Sequence, residues 1–401
     1  MRITKVETLR ADGGWRPFSF VKISTDEGLV GWSEFLDGAW SPALPEVIAA
    51  FGRTVVGADP RAFARIAAEL RAVTQFTAGG LSRQGIAAIE NTCIDIAAKA
   101  AGVPVYALFG GPLRLGIDVY WSHCGSFRAQ HAELFERELG LPRLRTLDDM
   151  ESLGREAAAR GFKAVKTNPM VFAGGGAGGG ARLLNPGFVG NGLDLSKTLD
   201  NSTLAAIAAQ VEALRAGLGA ERGLMLDVNF AFRPAALRRL TAAVAAADLT
   251  WLEIDLHDPG ALAAVRAQSS TPIASLESEY GCRGYGPFFA AQAVDVAVID
   301  VLWNGFTDSL AIAAQAAAHD VNVAPHNFSG ALGDLIAAHF CAVAANVAIM
   351  EIEGDDVPWK SQLVTKAGAL ADGQFVVPTS AGWGADVNEE AVRAHPWPRA
   401  R

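Results

Sequence analysis

The sequence predicts an α/β protein built around a (β/α)8 barrel, with a smaller α+β domain in front of it. The first observation is a series of six short apolar runs, which end at Asp227, Glu253, Glu277, Asp300, His326 and Glu351. The second is their spacing of 26, 24, 23, 26 and 25 residues, with alanine-rich helical patterns in between. Such a repeat is typical of successive strand–helix units whose parallel strands are buried on both faces. The third is the length of 401 residues, since a barrel of roughly 250 residues leaves room for a second domain.

Composition and charge exclude several classes of function. Half of the residues are hydrophobic, and the net charge is −9 without any run of Lys or Arg, so nucleic acid and anionic membranes are poor partners. No apolar run reaches the ~18 residues that a membrane-spanning helix needs, and the N-terminus is unlike a signal peptide. The four cysteines show no C-x-x-C spacing. Together these features predict a cytoplasmic protein with reduced, mostly buried thiols.

The N-terminal part has the pattern of a small sheet followed by helices. Alternating apolar residues predict three strands, at 2–10, 18–25 and 29–35. Apolar residues at spacings of three and four predict helices between about 42 and 101. A loop between the first two strands carries Trp15 and Arg16, which we expect to close over the distal end of a substrate.

The first two barrel strands are predicted at 117–126 and 164–169, ahead of the six listed above. A glycine-rich insertion follows the second strand, with GGGAGGG from Gly174 to Gly180. A phosphate-binding loop is one interpretation, but the Gly-Lys-Ser/Thr ending is missing and no helix follows directly. A mobile flap over the barrel mouth is the favoured one. A helix from about Ser202 to Gly217 comes next.

Three segments divide the chain. The Gly-Gly-Pro sequence that ends at Pro112 marks the predicted boundary between an α+β domain, residues 1–112, and the barrel, residues 113–356. Residues 357–401 contain a predicted strand at 374–378 and are too short to fold alone. We expect this segment to pack back on the N-terminal domain.

The residues that end the barrel strands carry the chemistry. In a (β/α)8 barrel these ends converge on one mouth, where enzymes of this fold place their active sites. Here the mouth would collect three carboxylates, then Asp300 and His326, then Glu351. The order predicts a metal site beside an acid/base pair.

At this point the sequence resembles the enolase superfamily, specifically the acid-sugar dehydratases of its mandelate racemase-like branch. The stretch IENTCIDIAAKAAGVPVYALFGG at 89–111 is similar to the helix and Gly-Gly signature of the family's capping domain. The barrel carries the family's ordered set, which begins with Lys166-x-Asn168 and ends with Asp300 and His326. The resemblance implies a modified (β/α)7β barrel, a capping domain completed by the C-terminal segment, and a homo-oligomer, either a dimer or an octamer.

By this resemblance Asp227, Glu253 and Glu277 bind one Mg²⁺. The physical chemistry agrees, because Mg²⁺ prefers oxygen ligands, and three clustered acids without a cation would raise one another's pKa. Two alternates, Asp255 and Glu279, lie two residues further on and share a strand face with the expected ligands. Glu277 is preferred over Glu279 because it directly follows Ile-Ala-Ser, as the family's ligand does.

The metal and the bases together predict the substrate class. Mg²⁺ acidifies the α-proton of a bound carboxylate, because it stabilises the enediolate that forms on deprotonation. His326 is the expected base, and Asp300 fixes its tautomer. Lys166 is expected to hold the enediolate as a cation, and Glu351 to hydrogen-bond it, with Glu353 as the competitor for that role.

One departure from the family pattern restricts the types of reaction that the site could catalyse. Two-base members carry Lys-x-Lys on the second strand, but Asn168 occupies the second position here and cannot take a proton. A one-base site suits β-elimination, in which a sugar acid loses its 3-hydroxyl and gives a 2-keto-3-deoxy acid. Some of these dehydratases use a second His, two residues after the first metal ligand, to protonate the leaving group. Asn229 stands there in this chain, and His123 is a possible substitute.

The residues expected to bind substrate are Trp15, Arg16, His123, Asn168, Asn229 and Glu353. The leading hypothesis is a Mg²⁺-dependent sugar-acid dehydratase, a carbon–oxygen hydro-lyase. A cycloisomerase or epimerase of a sugar acid or lactone on the same scaffold is the alternative. A catalytically silent binding barrel and a phosphate-binding barrel are weaker ones. The sequence does not identify the sugar acid.

Overall fold

The computed structural model describes residues 1–38, 41–172, 180–184 and 197–397. Most of the predicted glycine-rich flap, from Gly174 to Gly179, lies outside these ranges. Within them, no helix is long and apolar enough to cross a membrane. The four cysteines are free, and only Cys282 is exposed.

The N-terminal domain is a three-stranded antiparallel sheet covered by helices. Its strands, in the spatial order β1-β2-β3, are β1 (Ile3–Asp12), β2 (Pro17–Thr25) and β3 (Val30–Phe35). Its helices are α1 (Leu44–Val55), α2 (Phe63–Val73), α3 (Gly80–Ala101) and the short α4 (Val105–Leu108). Apolar side chains of the sheet and of α1, α2 and α3 form a core of their own. The predicted strands and helices are confirmed here within a few residues.

The barrel strands alternate with helices along the chain. The strands are β4 (Gly116–Ser122), β5 (Ala164–Thr167), a hairpin of β6 (Met170–Phe172) and β7 (Ala181–Leu183), then β8 (Gly223–Asp227), β9 (Trp251–Glu253), β10 (Ile273–Ser275), β11 (Val296–Asp300), β12 (Asn322–His326) and β13 (Met350–Glu353). The helices are α5 (Ser126–Gln130), α6 (Ala132–Leu139), α7 (Leu147–Ala159), α8 (Asn201–Leu218), α9 (Pro234–Val244), α10 (Pro259–Arg266), α11 (Gly281–Ala290), α12 (Val301–Asn304), α13 (Phe306–Ala317) and α14 (Ala331–Val343).

Apart from the antiparallel hairpin of β6 and β7, the barrel strands run parallel to one another. They are hydrogen-bonded in the order β4-β5-β8-β9-β10-β11-β12, and β13 pairs with β4 on its other side. Two backbone hydrogen bonds join β12 to the segment before β13, from Val323 N to Asn346 O and from Ala348 N to Val323 O, both at 2.8 Å. The predicted α/β barrel with an N-terminal cap is thereby confirmed. The first strand ends earlier than the predicted 117–126, because the chain turns at His123 and begins α5 at Ser126.

The C-terminal segment contacts both domains. Its hairpin, β14 (Ala369–Ala371) and β15 (Gln374–Val376), pairs antiparallel with the first residues of the barrel strand β4. This contact with the barrel comes in addition to the expected packing on the N-terminal domain, because β4 begins before its parallel neighbours and leaves that edge free. The chain then returns to the cap through α15 (Glu389–Ala394), where Asp12 N donates to His395 O at 2.7 Å.

A layer of apolar side chains fills the barrel interior below the mouth. It includes Tyr120, Ala164, Met225, Trp251, Ala274, Val298 and Ala324, so nearly every strand contributes. Because side chains alternate along a strand, residues two positions further toward the carboxyl end also point inward, one layer higher. That higher layer is where the polar residues lie.

Candidate active site

Five ionisable residues lie in the layer directly above the apolar one. They are Lys166, Asp227, Glu253, Asp300 and His326, each two residues after a member of the apolar layer. None is more than 9% exposed. Because every second side chain of a strand faces the barrel interior, the alternation that buries the apolar residues also directs these charged side chains into the mouth.

Lys166 lies among three carboxylates. Its Nζ is 3.0 Å from Glu253 Oε2, 3.1 Å from Glu351 Oε1 and 3.8 Å from Asp227 Oδ2. Burial alone would lower the pKa of this amine, but the carboxylates raise it well above its ordinary value. Lys166 is accordingly a fixed cation. A fixed cation can hold an anionic substrate, but it is a poor proton acceptor.

The carboxylates carry more negative charge than Lys166 neutralises. Burial raises the pKa of Glu253 to about 8, with Asp227 and Glu277 adding to the effect against the attraction of Lys166. Burial also raises the pKa of Glu277. Buried oxygen donors that repel one another fit a hard divalent cation in charge and chemistry. Within the described residues, however, no group of three His, Cys, Asp or Glu side chains already has the arrangement of a metal site.

His326 and Asp300 form the predicted pair at the ends of neighbouring strands. His326 Nδ1 is 2.6 Å from Asp300 Oδ2, and β11 and β12 bring the two residues into direct register. The other oxygen, Asp300 Oδ1, accepts hydrogen bonds from Leu302 N at 2.7 Å and Trp303 N at 2.8 Å, the first turn of α12. His326 Nε2 faces the carboxylate cluster, 3.6 Å from Glu277 Oε2.

Charge sets the protonation of His326. Burial alone would lower its pKa, but the charges of Glu277 and Asp300 raise it to about 10. Without a cation at Glu277 the ring is therefore an imidazolium at neutral pH. A cation bound by Glu277 would remove the largest of the raising charges and favour a neutral ring, which is the form that accepts a proton.

Glu351 is fully buried, and its carboxylate oxygens accept several hydrogen bonds. Besides Lys166, it receives hydrogen bonds from Asn327 N at 2.8 Å and from the Ser122 hydroxyl. Although burial raises its pKa, the Lys166 ammonium and the other positive charges lower it to about 2. Glu351 therefore stays ionised. Its predicted contact with substrate remains a prediction.

Two asparagines expected to bind substrate are held by the first carboxylate instead. Asn168 Nδ2 donates to Asp227 O at 3.1 Å and to Oδ2 at 3.3 Å, while Asn168 Oδ1 accepts from Ser126 Oγ at 2.8 Å. Asn229 donates to Asp227 Oδ1 from its backbone N at 2.9 Å and from Nδ2 at 2.6 Å. Both amides thus orient Asp227, and their hydrogen bonds to substrate remain predictions.

The alternates to the predicted metal ligands differ in position. Glu279 is half-buried beside Gly284 at the start of α11. Asp255 is fully buried at Ser275, whose Oγ lies 3.3 Å from Asp255 Oδ1, and its Oδ2 has no partner within the described residues. The position of Glu277 beside His326 supports the preference for it. Asp255 is a further buried acid in addition to the three expected ligands. Its position two residues after Glu253 already predicts that it shares a strand face with Glu253.

The loop between β1 and β2, which carries Trp15 and Arg16, packs against the rest of the protein. Arg16, expected to close over a substrate, is 1% exposed, and its Nη2 is 2.9 Å from Asp356 Oδ2 in the C-terminal segment. Its guanidinium lies 4.2 Å from the ring centre of Phe328, which follows His326 by two residues. Trp15 stacks on His131 at 5.3 Å. The predicted contacts of Trp15 and Arg16 with substrate remain predictions.

His123 and Glu353 are joined directly, although the sequence analysis predicts a separate role for each. His123 Nδ1 is 2.6 Å from Glu353 Oε1, and its ring stacks on Phe127 at 4.4 Å. The pairing follows from the register of β13 and β4, which sets Glu353 opposite Ser122, the residue before His123. Sequence spacing could not reveal it, because the two residues are 230 positions apart.

Comparison with known proteins assigns the family. Residues 9–110 match the model "Mandelate racemase / muconate lactonizing enzyme, N-terminal domain", and residues 149–391, more than half of the chain, match "Enolase C-terminal domain-like". The chain belongs to the mandelate racemase-like branch of the enolase superfamily. The predicted resemblance is confirmed. The exact domain bounds, 1–112, 113–356 and 357–401, stay predictions.

Individual superfamily relatives carry several names. The D-xylonate dehydratase of Haloferax volcanii is 26% identical over 98% of this chain and 88% of its own length. The D-galactarolactone cycloisomerase of Agrobacterium fabrum is 26% identical over 94% and 90%. A solved structure from Burkholderia xenovorans strain LB400, described as a "putative L-alanine-DL-glutamate epimerase", is 41% identical over 99% of both chains, with a TM-score of 0.94. A further structure of that protein is bound to magnesium and fumarate.

Proposed function

We propose that this superfamily member is a Mg²⁺-dependent dehydratase of a sugar acid, a carbon–oxygen hydro-lyase. The observation that carries the proposal is a single acid/base pair, His326 and Asp300, that faces a buried carboxylate cluster while Asn168 stands where a second base would be needed. Relatives named D-xylonate and D-galactonate dehydratase over nearly the whole chain support the same reaction.

Asp227, Glu253 and Glu277 are the residues that would hold Mg²⁺. When bound, the metal acidifies the α-proton of a carboxylate ligand by stabilising negative charge on its oxygens. Magnesium in the 41%-identical Burkholderia structure supports the choice of ion. Lys166, held between Glu253 and Glu351, supplies a second fixed positive charge beside the substrate carboxylate.

His326 removes the α-proton through Nε2, which faces the carboxylate cluster. Asp300 accepts the hydrogen bond from Nδ1, and so fixes the tautomer that leaves Nε2 free to take a proton. Asp300 itself is held by two backbone N–H groups of α12. The base is therefore oriented before substrate arrives.

The opposite face of the site lacks a usable base. Lys166 is paired at 3.1 Å with Glu351, which is not one of the expected metal ligands and keeps the ammonium charged, and the Asn168 amide does not titrate. Removal of the α-proton and loss of the 3-hydroxyl need only one base, whereas inversion at the α-carbon needs proton delivery on the other face. Elimination to a 2-keto-3-deoxy acid is therefore favoured over epimerisation.

Cycloisomerisation of a sugar lactone is the second candidate. It would use the same His326 and metal, and the named Agrobacterium relative favours it as strongly in identity as the dehydratases. An epimerase, as the description of the Burkholderia structure suggests, is less compatible with the one-base site. A barrel that only binds a ligand, without catalysis, would not explain a complete acid/base pair of His326 and Asp300 beside a carboxylate cluster.

The test is hydrogen exchange in D₂O with Mg²⁺ and a library of mono- and diacid sugars and their lactones, followed by NMR and a 2-keto-acid assay. We expect one substrate to lose its α-proton and form a 2-keto-3-deoxy acid. His326→Asn should abolish both signals, while His319→Asn, on an exposed helix end, should change neither. A His326→Asn variant that remains active would refute the assignment of the base, and a product without a keto group would refute dehydration.

We further propose the binding partners, the cellular location and the oligomeric state of the protein. The partner is a small sugar acid, and neither nucleic acid nor membrane is expected to bind. A cytoplasmic homo-oligomer, either a dimer or an octamer, is the expected form, which light scattering of the purified protein would test.

A further inference from the structure

The leaving hydroxyl of the proposed dehydration must gain a proton, and the residue that supplies it is not yet assigned. The position that some relatives fill with a second His is occupied by Asn229, whose amide is committed to Asp227 Oδ1 at 2.6 Å. An amide cannot act as a general acid at neutral pH. The donor must therefore lie elsewhere around the mouth.

A second His–carboxylate pair lies at the mouth, separate from His326 and Asp300. His123 directly follows the last residue of β4, so it lies at the same end of the barrel as His326. Its Nδ1 is 2.6 Å from Oε1 of Glu353 and 3.1 Å from Ser122 Oγ. Among the described residues Nε2 has no hydrogen-bond partner. One ring nitrogen is thus fixed by a carboxylate and the other is free to exchange a proton.

The backbone at His123 supports a functional interpretation of the pair. Its φ is 49°, a left-handed conformation that non-glycine residues adopt at an energetic cost and that clusters at functional sites. The ring is clamped between Phe127 at 4.4 Å and Phe328 at 5.3 Å, with 19% of the side chain exposed. The ring is therefore rigidly positioned and still accessible.

The order of strands around the barrel places this pair across the mouth from the candidate cation ligands. The candidate cation ligands lie at the ends of β8, β9 and β10, whereas β13 and β4 lie on the opposite side of the ring. A carboxylate held at the cation directs the rest of the substrate away from β8 to β10. Glu353 lies one layer above Glu351, so His123 and Glu353 come next along that direction.

We propose that His123, paired with Glu353, is the general acid that protonates the departing 3-hydroxyl. The inference rests on the proposed dehydration and extends it with a second catalytic residue. The C2–H bond breaks and its proton goes to His326 Nε2. The electron pair ends in a C2–C3 double bond, the C3–O bond breaks with its electrons on oxygen, and the proton of His123 Nε2 converts the hydroxyl into water.

The proton balance closes without a redox partner. Ketonisation of the resulting enol adds one proton at C3 and releases one from the C2 hydroxyl. Solvent then takes the proton from His326 and returns one to His123. Glu353 holds Nδ1 of His123, so that Nε2 is the nitrogen that carries the transferred proton, much as Asp300 holds Nδ1 of His326.

The experiment separates α-proton removal from departure of the leaving group. With the substrate found in the library screen, His123→Asn should slow dehydration by about 10²- to 10⁴-fold, the usual contribution of a general acid. Exchange of the α-proton in D₂O should stay within a few-fold of wild type, because His326 and the cation site are untouched. Glu353→Gln should reduce dehydration less, since the acid itself remains.

A fluorinated substrate provides the decisive readout. The 3-deoxy-3-fluoro analogue loses fluoride, which needs no protonation, so His123→Asn should eliminate fluoride at nearly the wild-type rate. A merely structural role would slow both leaving groups alike. The matched control is His131→Asn, a half-buried His in the same aromatic cluster, 6.2 Å from Phe127, which should dehydrate normally.

Two outcomes would overturn the assignment. Dehydration at the wild-type rate in His123→Asn would mean that His326 or another group protonates the hydroxyl, while the proposed function stands. A wild-type enzyme that exchanges or converts a substrate without forming a keto acid would remove the dehydratase function, and the assignment of His123 with it.

Discussion

At the scale of single residues, Asp300 performs two tasks with its two carboxylate oxygens. Oδ2 accepts from His326 Nδ1, and Oδ1 caps α12 through the backbone N–H groups of Leu302 and Trp303. The residue that orients the base is thus itself fixed by the first turn of the next helix. This division allows the two tasks to be separated by one substitution.

Asp300→Asn should retain the helix cap and lose the orientation of the base. The amide oxygen can still accept from α12, but the amide NH₂ cannot accept from His326 Nδ1, which favours the wrong tautomer. We expect kcat for the proposed dehydration to fall by about 10²- to 10⁴-fold. The melting temperature should stay close to that of wild type. A near-normal kcat would show that Asp300 serves only as a cap.

Strained backbone also marks the site at this scale. His123, Asn229 and Leu276 have φ values of 49°, 44° and 93°, in the left-handed region that favours glycine. Each lies within two residues of the end of a barrel strand, and Leu276 stands just before Glu277. Strain of this kind is retained where surrounding structure fixes a functional side chain. Three of the nine described non-glycine residues with positive φ thus lie at the mouth.

At the scale of elements, α3 links the cap to the barrel through a buried acid. Glu90 is 1% exposed, and burial, only partly offset by the positive charge of Arg71, raises its pKa to about 7. Nearby, Asn91 Nδ2 donates to Val301 O at 3.1 Å and its Oδ1 accepts from Phe306 N at 2.9 Å, which ties α3 to α12 and α13. Ionisation of Glu90 is therefore unfavourable in the folded protein.

Glu90→Gln should change how stability depends on pH. The folded-state pKa near 7 lies above the ordinary value of 4.5, so wild type loses stability as the pH rises through that window. Glutamine does not titrate, so relative to wild type the variant should gain up to about 3 kcal/mol in unfolding free energy between pH 4.5 and 8.

Urea unfolding at pH 5 and pH 8 measures this difference. Glu212→Gln, on the exposed face of α8, is the matched control and should show no pH-dependent gain. A difference between Glu90→Gln and wild type that does not vary with pH would contradict the raised pKa of Glu90.

At the scale of the whole molecule, the C-terminal segment fastens the cap to the barrel. Trp383 is fully buried and packs on Phe306 of α13 at 5.6 Å. Its Nε1 donates to Trp32 O of β3 at 2.9 Å, and its backbone N donates to Asp95 Oδ1 of α3 at 3.0 Å. One side chain of the last segment therefore contacts both domains.

Trp383→Ala should destabilise the whole protein by about 3–5 kcal/mol, the usual cost of emptying a buried aromatic site. The measurement is urea unfolding followed by far-UV circular dichroism. Phe76→Ala, which removes a ring that is 93% exposed, is the control and should shift stability by less than about 0.5 kcal/mol. A loss below about 1 kcal/mol for Trp383→Ala would show that the segment does not join the domains energetically.

Much of the fold and part of the site could be predicted from the sequence. Apolar runs that end in polar residues are a local pattern, and β8, β9, β11 and β12 end at Asp227, Glu253, Asp300 and His326 as that pattern predicts. The spacing of these runs determines the strand–helix repeat. The inward orientation of the polar residues follows from the two-residue alternation that also buries the layer below them.

Apart from the pair of His326 and Asp300, only the tertiary structure decided which side chains meet. The amides of Asn168 and Asn229 turn to Asp227, Arg16 is buried against Asp356, and His123 pairs with Glu353. Each of these contacts depends on where strands lie around the ring and how far each extends into the mouth. Local periodicity encodes the direction of a side chain within its own strand, but partners from distant strands are fixed by barrel closure and register.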